Sequence, residues 1–302
     1  MAGLAAQLRQ DRAQLGIVMM LGAYLFFAAV DTSVKWLVLA GFHAFQLAFM
    51  RYLGHFMISL VQISRGGLSW GRFGSGHMGL VLLRAALLVA STVLNFIALN
   101  YLPLTVTSAI MFSAPIIVCA LSVPLLGEKV GPWRWFAIVL GFGGVLVIIR
   151  PFGESFHWAA LLSVFNAFAM AFYSVLTRRL SGLIAAETMQ FYAGALGTVA
   201  LLPLAVMTWQ NPTTVLDWAL MLGLGLWGWA GHELLTRAHG FAPANTLMPY
   251  TYSFMIYLTI SSYVVFANVP DGWTLIGAAI VVFSGLVIWW REKRMGVGRA
   301  RR

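Results

Sequence analysis

The sequence predicts an all-α membrane protein of ten transmembrane helices, arranged as two inverted five-helix repeats around a central cavity. Three observations carry that expectation. The 302 residues are 61% hydrophobic and only 9% charged, against about 25% charged in an ordinary soluble domain. Ten apolar windows are separated by short polar or Gly/Pro connectors, each near the roughly 20 residues that a bilayer-spanning helix requires. A segment beginning at residue 100 recurs 140 positions later.

The windows run over 15–38, 43–63, 78–101, 103–125, 133–150, 157–177, 186–207, 215–237, 243–267 and 273–290. The stretch "FAIVLGFGGVLVII" in the fifth is apolar on every side. That suits a lipid-embedded helix, whereas strands of a membrane barrel would alternate apolar and polar residues. The first window is too long for a cleaved signal, carries Asp31 and Lys35 and has no small-residue cleavage pattern behind it, so it reads as a retained helix. Cys119 is the one cysteine and lies inside the fourth window; a disulfide within the chain and a cysteine-based metal cluster are excluded.

A formal charge of +10 could indicate nucleic acid, and the location of the charge decides against it. Arg9, Arg12, Arg65, Arg72, Lys129, Arg134, Arg178, Arg179, Arg237 and the basic residues of 291–302 all fall on one side of a ten-span chain, and Arg150 stands alone on the other. Positive loops stay cytoplasmic, so both termini are expected inside a bacterial-type inner membrane and the basic tail reads as a topology anchor.

The repeat gives the domain division. "NYLPLTVTSAIMFSAPIIVCALSVPLLGEKVGPWRWFAIVLGFGG" begins at 100, and a shift of 140 superposes Pro103 on Pro243 and Trp133 on Trp273. The first repeat is expected over 15–150, the second over 157–290 and a cytoplasmic tail over 291–302. Five helices per repeat is an odd number, so the second copy must enter the membrane with reversed polarity. Inverted halves around a midplane site are a common transporter plan, because rocking them exposes one site alternately to each side. The polar knot "GEKVGPW" then reads as a cytoplasmic turn between helices 4 and 5, with Pro132 at the first position of the fifth helix.

These residues also resemble the EamA repeat of the drug/metabolite transporter superfamily, whose helix-4/5 signature is a Gly-Glu pair after an apolar run. Gly127 and Glu128 match it in the first half, while Ala267 and Asn268 replace the pair in the second. The resemblance implies a transporter of small metabolites, and its ten-helix bacterial members include amino-acid exporters of the YddG type.

Ionisable groups at bilayer depth usually face a cavity or a partner. Asp31 and Arg51 each lie ten residues from Gly41 and so share a depth, and Lys35 follows Asp31 by four positions on the same helix face. Two readings stand: a structural ion pair locking the first hairpin, or an electrostatic contact for a zwitterionic or anionic substrate. On the inner half, Arg84 and Glu233 come from opposite repeats and are expected either to bridge as a gate or to snorkel to the interface. His232 is expected either to carry protons or to pack as a satisfied core group. Pro115 and Pro249 free the carbonyls of Met111 and Asn245, which marks both as hinges. Gly223, Gly225, Gly228 and Gly231 interleave with Trp227 and Trp229 in the eighth window, which suits either bending or close packing. Asn95, Asn166, Tyr173, Tyr250 and Tyr252 lie near or below mid-helix depth and need hydrogen-bond partners there.

Asp31, Arg51, Asn95, Asn166, Tyr173, Trp227, Tyr250 and Tyr252 are thus expected to bind substrate, and Lys35, Arg84, His232 and Glu233 to gate or couple. A cavity of aromatic faces and amides suits amino acids or similar metabolites. Helices 5 and 10 carry few polar groups and are expected outside it, with Ala137 and Gly141 as a packing edge. No Gly-Lys-Ser/Thr ending supplies ATP hydrolysis and no H-E-x-x-H a metal, so neither cofactor nor metal is expected. Export by alternating access, as a monomer or homodimer with the lipid bilayer as its other partner, is the leading expectation. Drug or cation efflux is an alternative within the superfamily. An intramembrane enzyme is disfavoured, because the six histidines are scattered.

Overall fold

The computed structural model describes residues 2–65, 76–114, 116–118, 120–121, 132–150, 156–180, 183–241 and 247–295. Ten α-helices run in order among them: α1 Ala2–Leu39, α2 Ala44–Arg65, α3 Met78–Tyr101, α4 Leu104–Met111, α5 Pro132–Ile149, α6 Ala159–Leu180, α7 Ala186–Met207, α8 Val215–Phe241, α9 Ser253–Phe266 and α10 Gly272–Met295. Helical residues also stand beyond α4 at 114, 116–118 and 120–121, and a 3₁₀ turn, Met248–Tyr252, leads into α9. The windows 78–101 and 186–207 coincide with α3 and α7. Proline starts α5, as its missing N–H and fixed φ favour. Helix α1 begins well before the first apolar window, and α10 carries the chain past the tenth into the basic tail. The knot at 124–131 and Pro115 lie outside the described residues.

Five described helices are long and apolar enough to cross a membrane: Gln14–Leu39, Ala44–Ser64, Met78–Tyr101, Ala159–Thr177 and Glu187–Met207. Leu104–Val118, Trp135–Ile149 and Gly272–Val287 are shorter apolar helices. Helix α8 has 27 residues, about 40 Å at 1.5 Å per residue. Its glycines, tryptophans and His232 lower its hydropathy rather than its reach.

Packing runs crosswise. The most extensive helix pairs are α1 with α8, α2 with α7, α5 with α10 and α3 with α6, each joining the first half of the chain to the second. Consecutive helices such as α1 and α2 touch far less. The pairing is also reciprocal under a shift of five helices: α1–α8 answers α6–α3, α2–α8 answers α7–α3, and α1–α9 answers α6–α4. The main core gathers Leu37, Leu47, Tyr52, Leu88, Phe96, Tyr173, Leu201 and Leu224 from six helices.

Two glycine pairs let backbones meet. A Cβ added to Gly54 of α2 would stand 2.8 Å from the Cα of Gly225 in α8, and one added to Gly225 would stand 2.6 Å from Gly54. On the α5–α10 side a Cβ on Gly144 would meet the Gly277 carbonyl at 2.9 Å. Ala137 is buried there, and Gly141 lies against Ile116 and Ser284 of α10, so the expected small-residue edge of α5 holds.

The fourth and ninth helices share a local tightening. The N–H of Ser113 donates to Ile110 O at 3.0 Å, and its Oγ donates to the same carbonyl at 2.7 Å. A matching pair of bonds recurs 140 residues on, where the Ser253 N–H reaches Tyr250 O and Ser253 Oγ donates to Tyr250 O at 2.7 Å. The two sites meet, with the Phe112 and Tyr252 rings 5.3 Å apart.

Candidate functional site: a polar seam between the two halves

Helices α2, α3, α6, α7 and α8 converge on a buried set of polar side chains. Arg51 of α2 is 7% exposed and Arg84 of α3 is 3% exposed. Arg51 Nη1 donates to Thr92 Oγ1 at 2.7 Å, and Nη2 lies 3.4 Å from His232 Nε2. Thr92 Oγ1 donates in turn to Leu88 O at 3.0 Å, so at the 2.8 Å contact between Tyr52 Oη and Thr92 Oγ1 the tyrosine is the donor. The Arg51 guanidinium also stands 5.1 Å from the Tyr52 ring centroid, within cation–π range. His232 packs edge-on to Phe27 at 5.0 Å and lies 6.1 Å from the His55 ring.

Arg84 spreads its donors over the second half. Nε donates to Thr177 Oγ1 at 2.7 Å, Nη2 to Tyr173 Oη at 2.6 Å and Nη1 to Met189 O at 3.4 Å. Two turns further along α3, Ser91 Oγ donates to Asn166 Oδ1 at 2.5 Å. Two expected contacts are therefore corrected. Arg84 does not bridge to Glu233, whose carboxylate pairs with Arg237 one turn on at 2.7 Å. Equal depth did not bring the two together, because Arg84 faces α6 and α7 rather than α8.

Nor do Asp31, Lys35 and Arg51 form one ion cluster. Asp31 Oδ1 accepts from Asn95 Nδ2 at 3.0 Å. Lys35 Nζ donates to the carbonyls of Leu99 and Leu102 at 2.7 and 3.0 Å, at the C-terminus of α3, where the helix dipole favours a cation. Other expected site residues stand apart. Trp227 packs over Gly223 of its own helix, against the main core. Trp229 Nε1 donates to Gln62 Oε1 at 3.3 Å, half-buried, rather than facing lipid alone. Tyr250 packs near Met20, Ala238 and Leu247. Tyr252 lies against Phe112 and Gly285, in the α4–α5–α10 cluster away from the arginines. Pro249 sits inside the 3₁₀ turn, so the tightening it marks is centred on Tyr250–Ser253.

The face bearing the α1–α2, α7–α8 and α9–α10 turns is held by three clasps between the halves. Gln46 and Gln210 exchange bonds, Gln46 Nε2 to Gln210 O at 2.7 Å and Gln210 N–H to Gln46 Oε1 at 2.9 Å. Trp36 Nε1 donates to Asp217 Oδ1 at 3.3 Å. Arg150 pairs with Asp271 at 2.7 Å. The side chain and backbone N–H of Thr274, together with Arg150, hold the Asp271 carboxyl below the ordinary carboxylate range. Two hollows open on this face, one of about 280 Å³ beside Arg150, His157 and Asp271, and one of about 510 Å³ beside Trp36 and Asp217.

Sequence reasoning passed over His55, Ser59, Thr92 and Gln190, all buried in the seam or at its edge. A signal for the first two was present: Arg51, His55 and Ser59 are spaced by four, on one face of α2. Among the described residues no group of three or more His, Cys, Asp or Glu could hold a metal ion.

Comparison with known proteins fits this architecture. The EamA-like transporter family matches residues 14–150 and 157–290. A riboflavin transporter of Vibrio cholerae is 30% identical over 282 residues, covering 92% of this chain and 94% of its own. An S-adenosylmethionine uptake transporter of Rickettsia bellii is 27% identical over 83% of this chain and 86% of its own, and a pseudopaline exporter of Pseudomonas aeruginosa is 25% identical over 92% and 97%. A solved crystal structure superposes with a TM-score of 0.64 at 18% identity, over 93% of this chain and 98% of that one, which shows a shared fold. The cargoes in these three names differ, and none is named an amino-acid exporter. Two matched stretches covering most of the chain, and relatives aligned along nearly their whole length, make this protein a member of the EamA-like transporter family and a transporter of small metabolites across a membrane.

Proposed function

We propose that the chain is a secondary transporter that exports amino acids or closely related metabolites by alternating access, built from inverted repeats over 15–150 and 157–290 with both termini cytoplasmic. The observation that carries this reading is the buried polar seam lying where the halves meet, since intramembrane ionisable groups mark solute pathways. Inversion is supported by the odd helix number in each half, by the reciprocal pairing of α1–α8 with α6–α3, and by the recurrence of the Ser113 bonds at Ser253. Crosswise packing refines the motion. The moving bodies are α1 with α8 and α9, and α6 with α3 and α4, each drawn from both repeats, rather than one repeat against the other. The 3₁₀ tightenings at Ile110–Ser113 and Tyr250–Ser253 serve as hinges, as such turns inside helices often do. The three clasps on the α1–α2 face part when that side opens.

Two buried arginines disfavour efflux of cationic drugs, because a cation entering the seam meets like charge in a low dielectric. Kinship with the riboflavin transporter makes an uncharged aromatic cargo the second reading. Counterflow in proteoliposomes with labelled amino acids, riboflavin and S-adenosylmethionine tests both. Saturable exchange of one or more amino acids is expected, and exchange confined to riboflavin transfers the assignment to the second reading. A flat response across the panel rejects transport of this class of cargo.

A further inference from the structure

Arg51 and Arg84 are permanently charged, and neither is ion-paired with a carboxylate. Asp31 lies within electrostatic range of Arg51 but is held by Asn95. Both arginines are within electrostatic range of His55 and His232, so among the described residues the seam sets two arginines against one neighbouring carboxylate, Asp31. Buried charge without a partner is costly, and the tyrosine faces at 5.1 and 4.4 Å offset part of it.

Buried polar side chains line one face of α2. Among the described residues Arg51 Nε and Ser59 Oγ, both buried, have no hydrogen-bond partner, and the side chains of His55 and Gln190 face one another. Arg51, His55 and Ser59 follow each other by one turn along α2, and Gln190 of α7 stands beside His55. Arg51 presents Nε to Gly228 of α8, where an added Cβ would stand 3.1 Å away. Its Nη2 makes only the 3.4 Å contact to His232. The edge formed by Nε and Nη2 is thus engaged only by that long contact and by the Gly228 backbone, and it has the fork geometry that grips two oxygens of one carboxylate or phosphate.

We propose that this fork is an oxyanion site for the transported solute: when α8 moves from α2, a carboxylate of the cargo seats on Arg51 Nε and Nη2, with His55 and Ser59 as hydrogen-bonding neighbours and Arg84 supplying further positive charge. This rests on the transporter reading and adds a substrate class to it, namely solutes with a carboxylate or phosphate. Riboflavin, which has neither, is outside that class.

The test uses the full chain in detergent and in proteoliposomes. Thermal unfolding is followed against acetate and against inorganic phosphate, at constant ionic strength. Saturable stabilisation is expected with acetate in the wild type and is lost in Arg51→Gln, while Arg51→Lys, which keeps the charge but not the fork, retains part of it. Stabilisation by phosphate alone assigns the site to phosphorylated solutes. Stabilisation by neither ion, or by both equally in wild type and Arg51→Gln, overturns the proposal. Counterflow then compares each accepted amino acid with its amide, which lacks only the carboxylate. The amide and the Arg51→Gln protein are each expected to lose about ten- to a hundredfold in flux, the worth of a charge-assisted hydrogen bond. Equal flux of acid and amide overturns the site while leaving transport standing. Saturable oxyanion binding with no flux of any panel member sinks the transport reading while leaving the site standing. Gel-filtration profiles confirm that each variant is folded, and His55→Asn provides a second probe if Arg51→Gln is not.

Discussion

The α2–α8 crossing and the α5–α10 crossing are built alike and surrounded differently. Each joins the halves through facing glycines, Gly54 with Gly225 and Gly144 with Gly277. Within one turn of the first pair stand Arg51, His55 and Gly228, with unpaired polar atoms; around the second stand Ile148, Ile280 and Val281. Close backbone approach is therefore a packing device common to both, and charged groups are placed beside only one of them. An apolar crossing holds one arrangement well, whereas a polar one keeps its groups satisfied only in part and so has reason to change partners.

Filling the glycine contacts separates the two crossings most sharply. Gly54→Val puts atoms where the Gly225 backbone already lies, and overpacking of this kind costs about 1–3 kcal/mol or more. A large fall in melting temperature and loss of the monodisperse peak are expected. Gly277→Ala, whose Cβ would stand 2.7 Å from the Gly144 carbonyl, is expected to lower the melting temperature while leaving flux per folded molecule near wild type. A matching loss of flux in Gly277→Ala would remove the distinction between the two crossings.

Lys35→Met is next in size. It strips the Leu99 and Leu102 carbonyls of a charged donor, an interaction worth about 1.5–3 kcal/mol, and a lower unfolding midpoint in denaturant checks it. The double substitution Ser113→Ala, Ser253→Ala removes two matched side-chain bonds of about 0.5–1.5 kcal/mol each. It is expected to change turnover more than stability if the tightened turns act as the proposed hinges. Unchanged turnover with an ordinary stability loss would reduce both sites to plain helix packing.

The smallest effect is expected at the Arg150–Asp271 clasp, whose partners are 32% and 44% exposed. Arg150→Gln should shift stability by about 0–1 kcal/mol. Asp271 titrates below the ordinary carboxylate range when folded, so its contribution is fully present above the unfolded carboxylate value and disappears only as pH falls through the lowered folded value. Melting temperatures of wild type and Arg150→Gln should therefore differ by a constant amount across neutral pH and converge in acid.

Much of this architecture was legible in the residues. Apolar runs bounded by His77, Pro103, Pro132 and the "NPTT" connector define helices because backbone polar groups inside a bilayer leave few alternatives. Charge and depth singled out Arg51, Arg84 and His232, and all three lie in the seam. What depth could not supply was azimuth. Arg84 and Glu233 share a level but face different neighbours, and Lys35 lies on the Asp31 face yet reaches the end of α3 instead. His55 was passed over as a scattered histidine, although its spacing from Arg51 places it one turn below on the same face. Tyr252 had suitable depth and polarity, but the fold directs its ring to Phe112 and α10. Side-chain direction around a helix depends on which helices arrive next to it, and in this chain those arrive from far along the sequence.

That crosswise pairing has a consequence for biosynthesis. Helix α5 is complete some 120 residues before its mate α10 is translated, and α1 waits still longer for α8. During that interval the bare Gly144 surface lacks Gly277, and the Arg51 turn has Thr92 and Tyr52 but not Gly228 or His232. The amino-terminal portion is thus an unfinished lock whose tumblers are delivered with the carboxy-terminal portion. Severing the chain at the 151–155 link should yield two fragments that mature only when made together.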